Sequence, residues 1–173
     1  MIDDLVGASL ADLGGEPGAL ARAVEAAARH GATGQLPFAA LVVRDGVVVG
    51  AGVNTALADL DPAGHGEVTA LRDAARRTGS LDLAGAVVYS SCEPCAICRT
   101  VAAAAGVSEI VYAAGKELVP AAIDADPART AALLDAVTAL LPGIARAGRT
   151  DLDEAALAAP FRAYTGRHQA EPG

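Results

Sequence analysis

The sequence predicts an α/β fold built on a mixed sheet of about five strands. Three observations carry this reading. Short apolar runs at 38–43, 47–52, 86–89 and 109–113 alternate with stretches of helical periodicity. The first two runs flank Arg44-Asp45-Gly46, a hairpin signal that pairs them antiparallel. The next two flank a helix, and strand–helix–strand with short turns is a right-handed βαβ unit with parallel strands.

Composition does not decide whether residues 1–16 are a helix or a loose tail. Between Glu16-Pro17-Gly18 and His30-Gly31, Leu20, Val24, Ala27 and Ala28 recur at helical spacing. His30 falls in the last turn of that helix, where a cation is favourable, and reads as a surface cap. A glycine-bearing loop leads through Pro37 to the hairpin, and Asn54 follows its second strand. Residues 55–64 read as a loop. Residues 65–78 read as a helix with an apolar stripe at Leu71, Ala74 and Ala75, stopped by Gly79. Strand 86–89 enters a loop at Ser90–Glu93 and then a helix whose first position is Pro94. That helix stops at Gly106, and strand 109–113 follows. Residues 114–127 are irregular. A helix over 129–141 is expected to bury Ala132, Leu133, Ala136, Val137 and Leu140. Residues 144–149 supply a short fifth strand, and 153–164 a last helix capped by Asp151 or Asp153. The organisation expected is one domain over 1–173, with 1–16 and 166–173 as candidate loose termini and His168 solvated.

Composition excludes several function classes. Apolar residues make up 53% of the 173 positions and charged residues 20%, which suits a packed core. Aromatics are only 3%, so that core must be Ala, Val and Leu. A net charge of −8 argues against a polyanionic partner, since nucleic-acid binders present Lys and Arg to phosphates. No run of ~18 apolar residues is present to span a membrane, and Met1–Leu5 shows no signal-peptide pattern. Three clustered cysteines point to a reducing, cytoplasmic compartment rather than a disulfide scaffold.

Chemistry concentrates in His65-Gly66-Glu67 and Ser91-Cys92-Glu93-Pro94-Cys95-Ala96-Ile97-Cys98. Cys95 and Cys98 stand one helical turn apart at a helix N-terminus, which favours thiolates. Two thiolates and a neutral His65 make a three-ligand Zn²⁺ site with its fourth position open, and Glu67 is left to move protons. Cys92 would crowd the same turn and reads as a non-ligand.

His-x-Glu followed by Pro-Cys-x-x-Cys is the zinc-deaminase signature. The chain resembles the cytidine-deaminase superfamily, and its two motifs look most like the guanine-deaminase and nucleoside-deaminase branch. Pro160-Phe161-Arg162-Ala163-Tyr164 resembles a Pro-Phe-x-Ala-aromatic stretch near the end of guanine deaminases. The resemblance implies a three-layer α/β/α sandwich, a Zn²⁺ cofactor, Glu67 as the catalytic acid–base, and a homodimer at least. It implies that Gly52-Val53-Asn54 places Asn54 against the base, although a turn-forming asparagine explains the residue as well. Gly66 and Phe38 are further substrate-binding candidates. Asp126, ahead of Asp124, is the candidate acidic reader of a purine edge, and both are also good helix caps. Gly66 stands where guanine deaminases usually have Ala, and Gln35–Ala39 replaces a glycine-rich loop. Arg99 sits where cytidine deaminases soften thiolate charge with Arg, and a solvent-facing helix residue is the other reading.

The expected function is hydrolytic deamination of a small nucleobase or nucleoside, most of all an aminopurine such as guanine, within purine metabolism. The alternative is a cytosine- or cytidine-type pyrimidine deaminase. A tRNA-editing deaminase and a non-enzymatic zinc module come further behind. The partner expected is a small molecule, with no nucleic acid and no membrane.

Overall fold

A computed structural model describes residues 2–124 and 126–169. Its elements in chain order are α1 (Gly15–Gly31), β1 (Ala39–Arg44), β2 (Val47–Val53), α2 (Ala56–Asp59), α3 (Gly66–Thr78), β3 (Val87–Cys92), α4 (Ala96–Ala104), β4 (Glu109–Ala114), α5 (Pro127–Leu140), β5 (Ala145–Ala147), α6 (Glu154–Leu157) and α7 (Ala159–Gln169). The sheet order is β2-β1-β3-β4-β5. β1 runs antiparallel to β2 and β3, while β3, β4 and β5 are parallel. The mixed five-strand sheet is the one the sequence predicts.

The hairpin forms because Asp45 and Gly46 both adopt positive φ, as a two-residue type I′ turn requires. Along β1, alternate side chains go to opposite layers. Ala39, Leu41 and Val43 pack with Leu20 and Ala27 of α1. Ala40 and Val42 pack with Ala70, Leu71 and Ala74 of α3 and Ala102 of α4. The result is a three-layer sandwich, with α1 and α7 on one face and α3 and α4 on the other. With aromatics scarce, fully buried Leu20, Leu41, Leu83 and Ile110 carry much of the core, each contributing about 1.5–3 kcal/mol.

Helix α3 lies against β2 through two glycines. A Cβ at Gly52 would stand 2.3 Å from Ala70 N, and one at Gly50 would stand 2.6 Å from Ala74 N. Helix backbone therefore rests on strand backbone, which sets the height at which α3 begins. Gly52→Ala should push the two apart and destabilise the fold by about 1–3 kcal/mol. Urea unfolding reads this directly, and an unchanged midpoint would mean the contact is not tight.

Several expectations are corrected. Strand β3 runs on through Ser90 and Ser91 to Cys92 instead of giving way to a loop, because both hydroxyls find partners inside. Ser91 Oγ accepts from Ala39 N at 3.1 Å, and Ser90 Oγ lies 2.8 Å from Cys92 O. Pro94 is not the first helical residue: Cys95 is the N-cap and Pro94 precedes it. The loop over 55–64 contains the single turn α2. Helix α5 buries Leu134 rather than the expected stripe, and Leu133 and Leu140 are 54% and 78% exposed. Its sequence is apolar nearly all round, so periodicity could not choose a face. The last helix is split into α6 and α7, with Asp153 the cap, accepting from Ala156 N at 2.8 Å. The N-terminal residues are docked, not loose: Gly7 N donates to Val48 O and Val48 N to Ala8 O, which covers the edge strand β2. Residues 166–169 continue α7, and 170–173 lie outside the described residues. Among the described residues no helix is long and apolar enough to cross a membrane.

Candidate active site

Two helix N-termini converge on one point. His65 is the N-cap of α3 and Cys95 the N-cap of α4, so Cys98 lies one turn into α4. His65 Nδ1 stands 3.3 Å from Cys95 Sγ and 3.5 Å from Cys98 Sγ, and the two sulfurs are 3.6 Å apart. Tetrahedral zinc, with bonds of about 2.3 Å to sulfur and about 2.0–2.1 Å to nitrogen, separates such donors by about 3.8 Å (S to S) and about 3.6 Å (N to S). The three atoms therefore fit the ion closely, and His65, Cys95 and Cys98 are positioned to bind it.

Charge at the site is already divided among the donors. The Cys95 thiol is pushed down to about 4, chiefly by the hydrogen bond from Cys98 and then by His65. The Cys98 thiol is held well up by that same bond and by burial. The imidazole of His65 is raised by its bond to Cys95. Burial raises Glu67, which is only 5% exposed. Its Oε1 lies 3.0 Å from Ser90 Oγ, and its Oε2 accepts from Cys98 Sγ at 3.3 Å. The carboxylate thus stands beside the metal donors without being one of them.

His65, Glu67 and Cys95 line a cavity of about 330 Å³. Phe38, Asn54 and Cys92 line it too, together with Lys116, Val119, Ile123, Asp124 and Leu134 from later in the chain. Phe38 is braced by Phe161, with ring centroids 6.0 Å apart. A Cβ at Gly66 would stand 3.0 Å from the carbonyl carbon and oxygen of Phe38, so glycine lets α3 start close under β1. Asn54 is 2% exposed; its Oδ1 accepts from Ala56 N at 3.0 Å, so it turns the chain and lines the cavity together.

The two aspartates separate. Asp124 lines the cavity, its Oδ1 accepting from Thr130 Oγ1 at 3.0 Å. Asp126, the favoured candidate, instead caps α5 by accepting from Arg129 N and pairs with the Arg129 guanidinium. The Asp-Pro junction at 126–127 is the signal for that cap. Arg99 is neither solvent-facing nor bonded to a thiolate. It is 5% exposed, and it donates to Pro94 O at 3.0 Å and to Glu93 Oε1 at 2.9 Å, holding the turn before Cys95. Cys92 is buried outside the donor cluster, its thiol raised by burial. His30 does not cap the surface; it reaches the carbonyl of Asn54. His168 is exposed, its ring tilted at 59° to that of Tyr164 with centroids 4.4 Å apart.

Sequence reasoning missed Ser90 and Lys116. Continuing the alternation of β3 would have placed Ser90 with Val88, on the face toward α3 and Glu67. Nothing in the irregular stretch after β4 marks Lys116 as a cavity residue.

The model of the cytidine and deoxycytidylate deaminase zinc-binding region matches residues 17–114. Guanine deaminase of Bacillus subtilis is 42% identical over 62 residues, which are 36% of this chain and 40% of that protein. Its solved structure superposes with a TM-score of 0.54 at 33% identity, over 64% of this chain and 68% of the other. A tRNA-specific adenosine deaminase of Buchnera aphidicola is 30% identical over 81 residues, 47% of this chain and 50% of that protein. The guanine deaminase of Nitrosomonas europaea superposes over 87% of this chain and 84% of its own, with a TM-score of 0.66 at 23% identity, a likeness of fold. The matched stretches span two fifths to a half of these curated relatives.

Proposed function

Because the chain belongs to the family of the cytidine and deoxycytidylate deaminase zinc-binding region, we propose that it is a zinc-dependent hydrolytic deaminase of a small nucleobase or nucleoside, foremost an aminopurine such as guanine. One observation carries this reading. A buried carboxylate, Glu67, stands beside a three-donor metal cluster, and both open onto a cavity of a size suited to a small ligand.

Zinc held by His65, Cys95 and Cys98 would supply the Lewis acidity that makes a water molecule nucleophilic near neutral pH. Glu67 takes a proton from that water on one carboxylate oxygen and delivers it to the ring nitrogen beside the amino-bearing carbon. It then takes the second proton from the hydroxyl now on that carbon and passes it to the amine, which leaves as ammonia as the carbonyl forms. Burial keeps this carboxylate away from bulk water, so the proton stays between it and the substrate. Phe38 offers an apolar face to the ring, and Asn54 a polar contact at its edge.

The purine preference rests on Asp124, whose carboxylate in the cavity lining suits the N–H groups of a guanine-like edge. Asp124→Asn is expected to cost about 1.5–3 kcal/mol on aminopurines, about 10- to 150-fold in kcat/KM, with little change on cytosine. Asp126→Asn should change neither, since Asn caps a helix as well as Asp does. Ammonia release from guanine, adenine, cytosine, their nucleosides and tRNA decides the substrate class. Activity on cytosine or cytidine alone would replace the purine reading with the pyrimidine one. The net charge of −8 disfavours tRNA. Three free thiols fit a cytoplasmic protein, and a homodimer would cover exposed Leu133 and Leu140, which light scattering can test.

A further inference from the structure

His30 lies at the end of α1, on the layer opposite α3, yet its Nε2 stands 2.6 Å from the carbonyl oxygen of Asn54. The other polar groups of Asn54 are nearly all engaged within the protein. Its backbone N–H donates to Phe38 O at 2.9 Å, and its Oδ1 accepts from Ala56 N at 3.0 Å. Only the Nδ2 amide finds no acceptor among the described residues, and Asn54 lines the cavity. The asparagine is therefore a donor toward the cavity, its acceptor having been taken up by the turn into α2.

This arrangement depends on where the backbone of residue 54 is held. Asn54 follows the last residue of β2, where the sheet no longer provides a partner for its carbonyl. A carbonyl on so buried a residue needs a donor from elsewhere. His30 supplies it from α1, tying one outer layer to the cavity wall through the end of the sheet.

We propose that His30 is a positioning residue for Asn54: its Nε2–H holds the Asn54 carbonyl so that the Nδ2 amide meets an acceptor on the substrate, a ring nitrogen or an oxo group. This deepens the deaminase reading and rests on it for the substrate. A carbonyl only accepts, so Nε2 carries the proton in the neutral and the charged imidazole alike. The device is one of geometry.

The test is a double-mutant cycle on zinc-loaded protein, with guanine and cytosine as the probes. His30→Ala should lower kcat/KM by about 3- to 10-fold, mainly through KM, at an unchanged zinc-to-protein ratio. His30→Gln, whose side-chain amide can donate to the same carbonyl, should recover most of that loss. In the Asn54→Ala background, His30→Ala should cost almost nothing more, because its effect passes through Asn54. Losses that multiply in the double variant, or a Gln variant no better than Ala, would overturn the proposal and leave His30 a purely structural contact. A wild type that neither binds nor deaminates any base takes down the parent reading and this one with it. That failure shows in the wild type, whereas failure of the positioning role shows only in the variants.

Discussion

Glu67→Gln is expected to bind zinc at the wild-type ratio and to lose turnover by on the order of 10²-fold or more. The substitution keeps the shape of a side chain that is 5% exposed and leaves the three-donor cluster intact. An amide in that place can still meet Ser90 Oγ, which lies 3.0 Å from Oε1. It cannot take a proton from water and return it to a ring nitrogen and an amine. The damage should therefore fall on kcat, with base binding retained. Elemental analysis, calorimetric binding of the base and ammonia release separate the three quantities. Near-normal turnover at full zinc would remove Glu67 from the reaction.

Cys95→Ala should lose nearly all bound zinc and lower the unfolding midpoint, because metal affinity and folding share one free energy. Cys95 has a doubly structural position, contributing one of the three donor atoms while sitting as the N-cap of α4. The ion would join the start of α3 to the start of α4, and two donors alone hold it far more weakly. Cys92→Ala is the matched control, with zinc expected to be unchanged. Because Cys92 packs with Ala114 and Phe161, its loss should still cost about 1 kcal/mol, where the sequence alone suggests no effect. A chelator added to the wild type should reproduce the Cys95→Ala midpoint. Full zinc in Cys95→Ala would refute the assignment of the donors.

The parts of the fold legible in the sequence were those governed by local rules. Asp45-Gly46 can adopt positive φ at both positions, so the hairpin was plain. His65, Cys95 and Cys98 were readable as a cluster because a metal site demands particular atoms at a fixed spacing. Failures came where tertiary partners overrode local signals. Ser90 and Ser91 look like loop residues until Glu67 and Ala39 are brought against them. His30 looks like a helix cap until the sheet carries Asn54 across to it. Asp124 and Asp126 are chemically alike, and only the place where α5 starts sends one to the cavity and the other to the cap.

The lining of the cavity comes from two different stretches of chain. Every donor atom and Glu67 precede residue 99, within the 17–114 stretch matched by the family model. Lys116, Val119, Ile123, Asp124 and Leu134, which complete the lining, all come after it. Lineages can therefore rewrite the second stretch while leaving the first untouched. An inherited reaction and an acquired preference can evolve at different rates within one gene. Kinship across the family then tells what bond is broken well before it tells in which molecule.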